Sequence, residues 1–248
     1  MIGKDSRRRG PARHDPIGCF ARAMALAACL LSASCAGVGS IQFTAGEQAY
    51  DVGLYKIAWG LWQGAADLGD ADAANGLGWL YDKGLGVDAN PLRAAEWYRR
   101  AAQRDHAAAQ LNLGNLYDDG RGVPKDYAIA AEWFRKAAEK GIPEAENNLG
   151  TMYRDGQGVA HDEARAAVLL TKAAEHGYPP AQNTIGVMYF RGRGVERNLE
   201  KALFWLELAA QKGQTGAEHN RDFVATFLKP EAVARIKARA AAWQPARP

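Results

Sequence analysis

The sequence predicts an all-α protein, a solenoid built from a 36-residue helical unit, and three observations lead there. The dipeptide Leu77-Gly78 returns at Leu113-Gly114, Leu149-Gly150 and, as Ile185-Gly186, once more, each step being 36 residues. The same interval carries Tyr81 to Tyr117, Tyr153 and Tyr189, and Val87 to Val123, Val159 and Val195. Finally, Asn90, Asp126, Asp162 and Asn198 fall at one register position, and short side-chain oxygens of this kind cap helices. A unit of this length cannot bury its apolar face alone, so neighbouring units must stack.

Each unit opens on Ala73, Ala109, Ala145 or Ala181, followed four positions later by Leu or Ile and four beyond that by Tyr. Those spacings fall along one stripe of a first helix. Gly84, Gly120, Gly156 and Gly192 end it, since glycine accepts the positive φ of a helix stop, and a second glycine two places on loosens the turn.

The cap residues then start a second helix, with Pro91 suited to its first position. That helix carries Ala94, Ala130, Ala166 and Ala202, then Trp97, Trp133, Leu169 and Trp205, then an alanine pair such as Ala101-Ala102. Small residues let the backbones approach, and the indoles are expected to fill the space between the helices. Leu169 in place of an indole predicts a thinner core in the third unit. Gly141, Gly177 and Gly213 stop the helix, whereas the first unit has Asp105, which must tolerate or avoid the left-handed conformation.

The expected organisation is a signal peptide over 1–35, a linker over 36–43, a degenerate half-repeat over 44–72, and repeats over 73–108, 109–144, 145–180 and 181–216. The half-repeat is predicted because Leu54 to Gly69 matches a second helix 72 residues upstream of Tyr127 and its neighbours, and a preceding helix from about Thr44 is compatible with it. Residues 217–248 read as capping helices, the last basic and amphipathic, since an end unit needs a polar outer face.

The pattern Ala-x-x-x-Leu-Gly-x-x-Tyr-x-x-Gly-x-Gly-Val, followed by a capped helix with Ala, Trp and Ala-Ala-x-x-Gly, resembles the Sel1-like repeats, relatives of the tetratricopeptide repeats. The resemblance implies a right-handed α-solenoid of antiparallel helix pairs whose first helices line the concave side. It also implies an adaptor or scaffold role for other proteins, including bacterial envelope assemblies. Some secreted relatives brace each repeat with a disulfide, but Cys19, Cys29 and Cys35 all precede the repeats, so that subclass and its penicillin-binding activity are not supported.

The N-terminus runs from basic (Lys4, Arg7, Arg8, Arg9, Arg13, Arg22) through an apolar stretch from Ala23 to Leu31 to the small residues Ser32-Ala33-Ser34-Cys35-Ala36. That order predicts export, because the apolar run is too short to span a membrane. Two processing outcomes stand. Cys35 resembles the acylated cysteine of a lipobox, although Ser32 occupies the position where that pattern prefers Leu; lipidation would imply an outer-membrane anchor, and the only contact with membrane. The alternative is cleavage after Ala36 and a free periplasmic protein. Residues 1–22 carry a net +4, so the whole-chain +3 becomes −1 without them, and composition gives no support to a nucleic-acid partner.

No serine or cysteine occurs from Ile41 to Pro248, which excludes serine and cysteine nucleophiles and thiolate zinc sites there. His106, His161, His176 and His219 lack ligand spacing, so neither metal nor cofactor is expected; His106 and His176 are read as complements to helix C-termini. The Gly-x-Gly turns follow helices rather than strands and lack a third glycine, so they are structural turns, not phosphate cradles.

Function is therefore expected on a surface. Core positions of the first helix cluster on one side, leaving Asn75, Trp79 and Asp82; Leu111, Asn115 and Asp118; Asn147, Thr151 and Arg154; and Asn183, Val187 and Phe190 opposite. These change from unit to unit, which marks them as candidate partner contacts, with Trp79 and Phe190 as anchors. A noncatalytic adaptor binding another protein or a peptide segment is the leading expectation. A polysaccharide-binding or export-assisting envelope component is the alternative, and a hydrolase using Asp/Glu pairs a third.

Overall fold

A computed structural model describes residues 38–246, so the N-terminal signal-like segment, with Cys35, lies outside the described residues. Among the described residues there are helices and no strands. The first pair is α1 (Val38–Asp51) with α2 (Tyr55–Asp67); then α3 (Ala71–Lys83) with α4 (Pro91–Ala102), and α5 (Ala107–Asp119) with α6 (Tyr127–Glu139). Next come α7 (Pro143–Asp155) with α8 (Glu163–Glu175), α9 (Pro179–Arg191) with α10 (Leu199–Gln211), and the closing helices α11 (Ala217–Ala225) and α12 (Pro230–Ala241). Helices within a pair pack most extensively, and each second helix packs on the first helix of the next pair. The result is an α-solenoid.

One residue fixes both ends of each connecting loop. The Asn90 side chain accepts from Arg93 N at 3.0 Å, capping α4, while its own backbone N–H donates to Tyr81 O at 2.8 Å. Asp126, Asp162 and Asn198 repeat both bonds on Tyr117, Tyr153 and Tyr189. The first helices end on glycines in the left-handed region, as at Gly84 with φ 67°. The second glycine of each loop serves close approach: a Cβ on Gly122 would collide with the Pro91 carbonyl, and one on Gly158 with that of Tyr127. Each loop is thereby seated on the start of the preceding pair's second helix.

The core is built on the glycine of each Leu-Gly dipeptide. A Cβ at Gly78 would lie 2.5 Å from the Tyr98 ring, at Gly114 2.6 Å from Phe134, at Gly150 2.9 Å from Leu170 and at Gly186 2.7 Å from Leu206. Tyr98, Phe134, Leu170 and Leu206 are all fully buried. This corrects the expectation for two of the three indoles: Trp97 and Trp133 lie only half-buried at the core edge, under Arg100 and Lys136, whose charges sit 4.3 and 4.2 Å from the ring centres, whereas Trp205 is buried in the core. The space between the helices is filled by the next residue along, because that is the side chain aimed at the bare glycine. Leu170 and Leu206 fill it in the third and fourth units as the Tyr98 and Phe134 rings do in the first two, and Leu170 stands beside a half-buried Leu169.

The ends also differ from expectation. Residues 38–43, read as linker, are helical, so the helix expected from about Thr44 begins at Val38 and completes a full pair with α2. That helix is held by Phe43, which stacks on Trp62 at 6.4 Å and accepts from the Trp62 indole N–H at 3.3 Å. At the other end Trp205 meets Trp243 edge-on at 6.1 Å, while Arg235, Lys237 and Arg239 of α12 face solvent. Asp105 does adopt the left-handed conformation, φ 69°, held by Lys140 at 2.8 Å and by Gln110, which donates at 3.0 Å.

A buried polar residue closes the seams that lead into α5, α7 and α9. The Gln110 amide lies within 3.4 Å of Ala102 O, and Gln182 donates to Ala174 O at 3.1 Å. The equivalent third-unit residue is Glu146, buried and 3.0 Å from His176 Nδ1. Burial raises the Glu146 carboxyl above its ordinary range, only partly offset by His176. A carboxyl raised in the folded state stabilises the fold while protonated, and that contribution is lost as pH rises through its folded pKa.

Two predictions follow from this packing. Gly114→Ala destabilises the fold by about 1–3 kcal/mol in chemical denaturation, and Phe134→Ala in the same chain costs less than the two changes summed separately; strict additivity would show that the glycine is not there for the ring. Glu146→Gln, which restores the amide used by the neighbouring seams, stabilises by about 1 kcal/mol near neutral pH. That gain shrinks as pH falls to about 4, where the native carboxyl is protonated; a gain independent of pH, or a loss at neutral pH, would contradict the assignment.

Candidate interaction face

The faces of the first helices opposite the core are joined from pair to pair by asparagines. Asn112 Nδ2 donates to Asn75 Oδ1 at 3.1 Å, Asn148 to Asn115 at 3.2 Å, and Asn220 to Asn183 at 2.9 Å. Asn147 donates to Asn148 Oδ1 at 3.2 Å, in the same line. Three of the four asparagines expected on the face therefore act as acceptors in a ladder that holds the first helices side by side. The donors between helices were not among the sequence candidates, although Asn112, Asn148 and Asn220 are separated by multiples of 36 residues and could have been found that way.

Near the N-terminus the face opens into a cleft of about 590 Å³ walled by Phe43, Tyr50, Trp62 and Trp79. Trp79 is 38% exposed, its indole N–H donates to Tyr50 Oη at 2.9 Å, and Lys83 lies 4.7 Å from its ring centre. Asp82, one helical turn on, is engaged by Arg121 at 2.7 Å and Lys83 at 2.9 Å. Leu111 does not reach the open face: it is 8% exposed and packs into the core of the α6–α7 seam, because its position rotates toward the neighbouring pair. Asp118 is half-buried, and burial with the adjacent Asp119 carboxylate raises its pKa above the usual range.

Toward the C-terminus the face changes character. Arg154 forms a two-pronged bond with Asp155 at 2.7 and 2.8 Å, beside a half-buried Thr151. Asn183, Val187, Arg154 and Arg191 line one hollow of about 230 Å³, and Val187 and Phe190 line the adjoining one of about 240 Å³ with Phe223. Phe190 lies 5.6 Å from both Phe223 and Phe227, and these two partners are about half exposed at 50% and 49%. The two aromatic positions of the sequence reading thus stand at opposite ends of one face, and each has partners inside the chain. Phe223 and Phe227, expected only as part of the cap, belong to this patch.

The histidines are structural where their geometry is defined. His106 caps the start of α5 instead of complementing the end of α4: Nδ1 accepts from Ala109 N at 3.1 Å, which leaves the ring proton on Nε2 to donate to Asp72 at 2.9 Å. Among the described residues no group of three or more His, Cys, Asp or Glu side chains could hold a metal, and no helix is long and apolar enough to cross a membrane.

Comparison with known proteins places this geometry. A Sel1 repeat protein from Oxalobacter formigenes is similar over 94% of this chain and 97% of its own, with 29% identity and a TM-score of 0.72. The protein c5321, a protective antigen of uropathogenic Escherichia coli with an SLR fold, is 28% identical over 83% of this chain and 53% of its own, with a TM-score of 0.55. A sel1 repeat protein from Klebsiella pneumoniae subsp. pneumoniae shares the fold at 24% identity and a TM-score of 0.50, over 77% of this chain and 94% of its own. No curated protein matches. The Sel1 repeat pattern matches residues 71–106, 107–142, 143–178 and 179–214 in succession, and the chain belongs to the Sel1 repeat family.

Proposed function

We propose that this protein is a noncatalytic adaptor of the cell envelope that binds a segment or domain of another protein along its first-helix face. Sel1 repeat proteins generally mediate protein–protein interaction and are generally not catalysts. The observation that carries the reading is the division of labour within each unit: core positions repeat, while the opposite face changes from Trp79 and Asp118 to Arg154 and Phe190 and ends in exposed aromatics. Aromatic and arginine side chains in hollows are the usual anchors of an interface. The envelope placement draws on the N-terminal sequence alone, with Cys35 as the acyl-carrying residue of an outer-membrane protein.

A second reading, a polysaccharide-facing component, draws support from the N-terminal cleft, where Trp79 stands beside Asp72 and near Glu47 and Asp51. Crosslinking capture from envelope fractions separates the two. The chain tagged at its C-terminus retains a protein partner that the Trp79→Ala/Phe190→Ala variant loses at unchanged helical content; captured material that digests as glycan would move the assignment to the second reading. Fractionation tests the address: the wild type sediments with outer membranes and Cys35→Ala does not, whereas equal soluble release of both would contradict the lipid anchor.

A further inference from the structure

The N-terminal cleft is a built cavity whose walls, rim and surroundings agree on one kind of guest. Its walls are aromatic: Tyr50 stacks on Trp62 with ring centres 5.6 Å apart, and the Trp79 indole is locked in orientation by its bond to Tyr50 Oη. A π-face held in place and partly desolvated attracts a cation. The Lys83 ammonium already lies 4.7 Å from the Trp79 ring centre, which shows that this indole takes a cation at that distance.

The rim supplies uncompensated charge. Glu47 and Asp51 line the cleft, are exposed, and have no ion-pair partner among the described residues. Asp72, the third carboxylate there, is occupied by His106 Nε2 at 2.9 Å, the same ring whose Nδ1 caps α5. The two helices that wall it carry the same sign: α1 and α3 hold Glu47, Asp51, Asp72 and Asp82 against Lys83, and of these Asp82 is already paired with Lys83 and Arg121. An entering ammonium or guanidinium would meet two free carboxylates and aromatic walls, with no second cation on those helices to repel it.

We propose that this cleft is a cation-accepting pocket that holds a lysine or arginine side chain from a basic segment of the partner. The inference rests on the adaptor reading and specifies the partner's chemistry at one end of the face. Arginine fits it best, since its planar guanidinium can stack on an indole and still pair with a carboxylate. The cleft's volume, about 590 Å³, accommodates such a side chain with part of its neighbours.

The test uses the full chain and three blocked probes in calorimetric titration: acetyl-triarginine amide, acetyl-triglutamate amide and a neutral oligosaccharide, chitotriose. Triarginine binds, triglutamate and chitotriose do not, and raising salt from about 0.05 to about 0.5 M weakens the binding. The Glu47→Gln/Asp51→Asn variant, altered only at exposed positions, loses about 10-fold in affinity at unchanged circular dichroism. Absence of triarginine binding, equal binding by the variant, or binding of chitotriose in its place would each overturn the pocket. Partner capture that depends on Trp79 and Phe190 but no triarginine binding would remove this inference and leave the adaptor reading standing.

Discussion

The structure depends on the missing Cβ of one glycine per repeat. At Gly78, Gly114, Gly150 and Gly186 the first helix offers bare backbone, and the second helix answers with Tyr98, Phe134, Leu170 or Leu206 laid against it. Interiors packed to crystal density do not absorb an added methyl without displacement, so this contact fixes how closely the two helices approach. Everything built on the pair inherits that spacing. The loop can then reach back to the preceding pair's second helix, where Gly122 and Gly158 again admit backbone at close range. Because these contacts use the sides of the helices that face one another, the far side of each first helix is released from most packing duty.

That release explains why the face can vary while the fold does not. Its cross-links are polar and modest, the asparagine ladder between first helices and the amides of Gln110 and Gln182 at the seams, each contributing on the order of 1 kcal/mol. They align neighbours without dictating what else the face carries. The chain has accordingly placed carboxylates and an indole near one end, and arginine with a phenylalanine cluster near the other. A stack in which each unit touches only its neighbours holds such groups at fixed separation along a line, which suits an extended partner better than a small substrate.

Much of this was legible in the sequence because repetition turns weak signals into strong ones. One Leu-Gly dipeptide is unremarkable; four at a constant interval identify the packed glycine, and four caps in register identify the second helix. The errors arose where period was replaced by residue size or by a helical wheel. Size suggests the indoles as the space-fillers, yet the side chain facing the glycine is the next one along; Trp97 and Trp133 lie at the edge, and Trp205 alone of the three is buried. A single 100° wheel put Leu111 on the open face, but the adjoining pair covers that flank. His106 was assigned to the helix before it because the boundary falls on it, and only the bond from Ala109 N shows that it starts the next. Tyr50 as the partner of Trp79 left no sequence signal, since the contact crosses between pairs whose first member is off pattern.

The central claim is that the rigid glycine-packed frame presents the first helices, and not the second, to the partner. Hydrogen exchange on the complex with the captured protein measures this directly. Slowed exchange concentrated in residues 71–83, 107–119, 143–155 and 179–191, relative to the free chain, is the predicted footprint. Slowing confined to residues 91–102, 127–139, 163–175 and 199–211 would place the partner on the opposite surface and contradict the account.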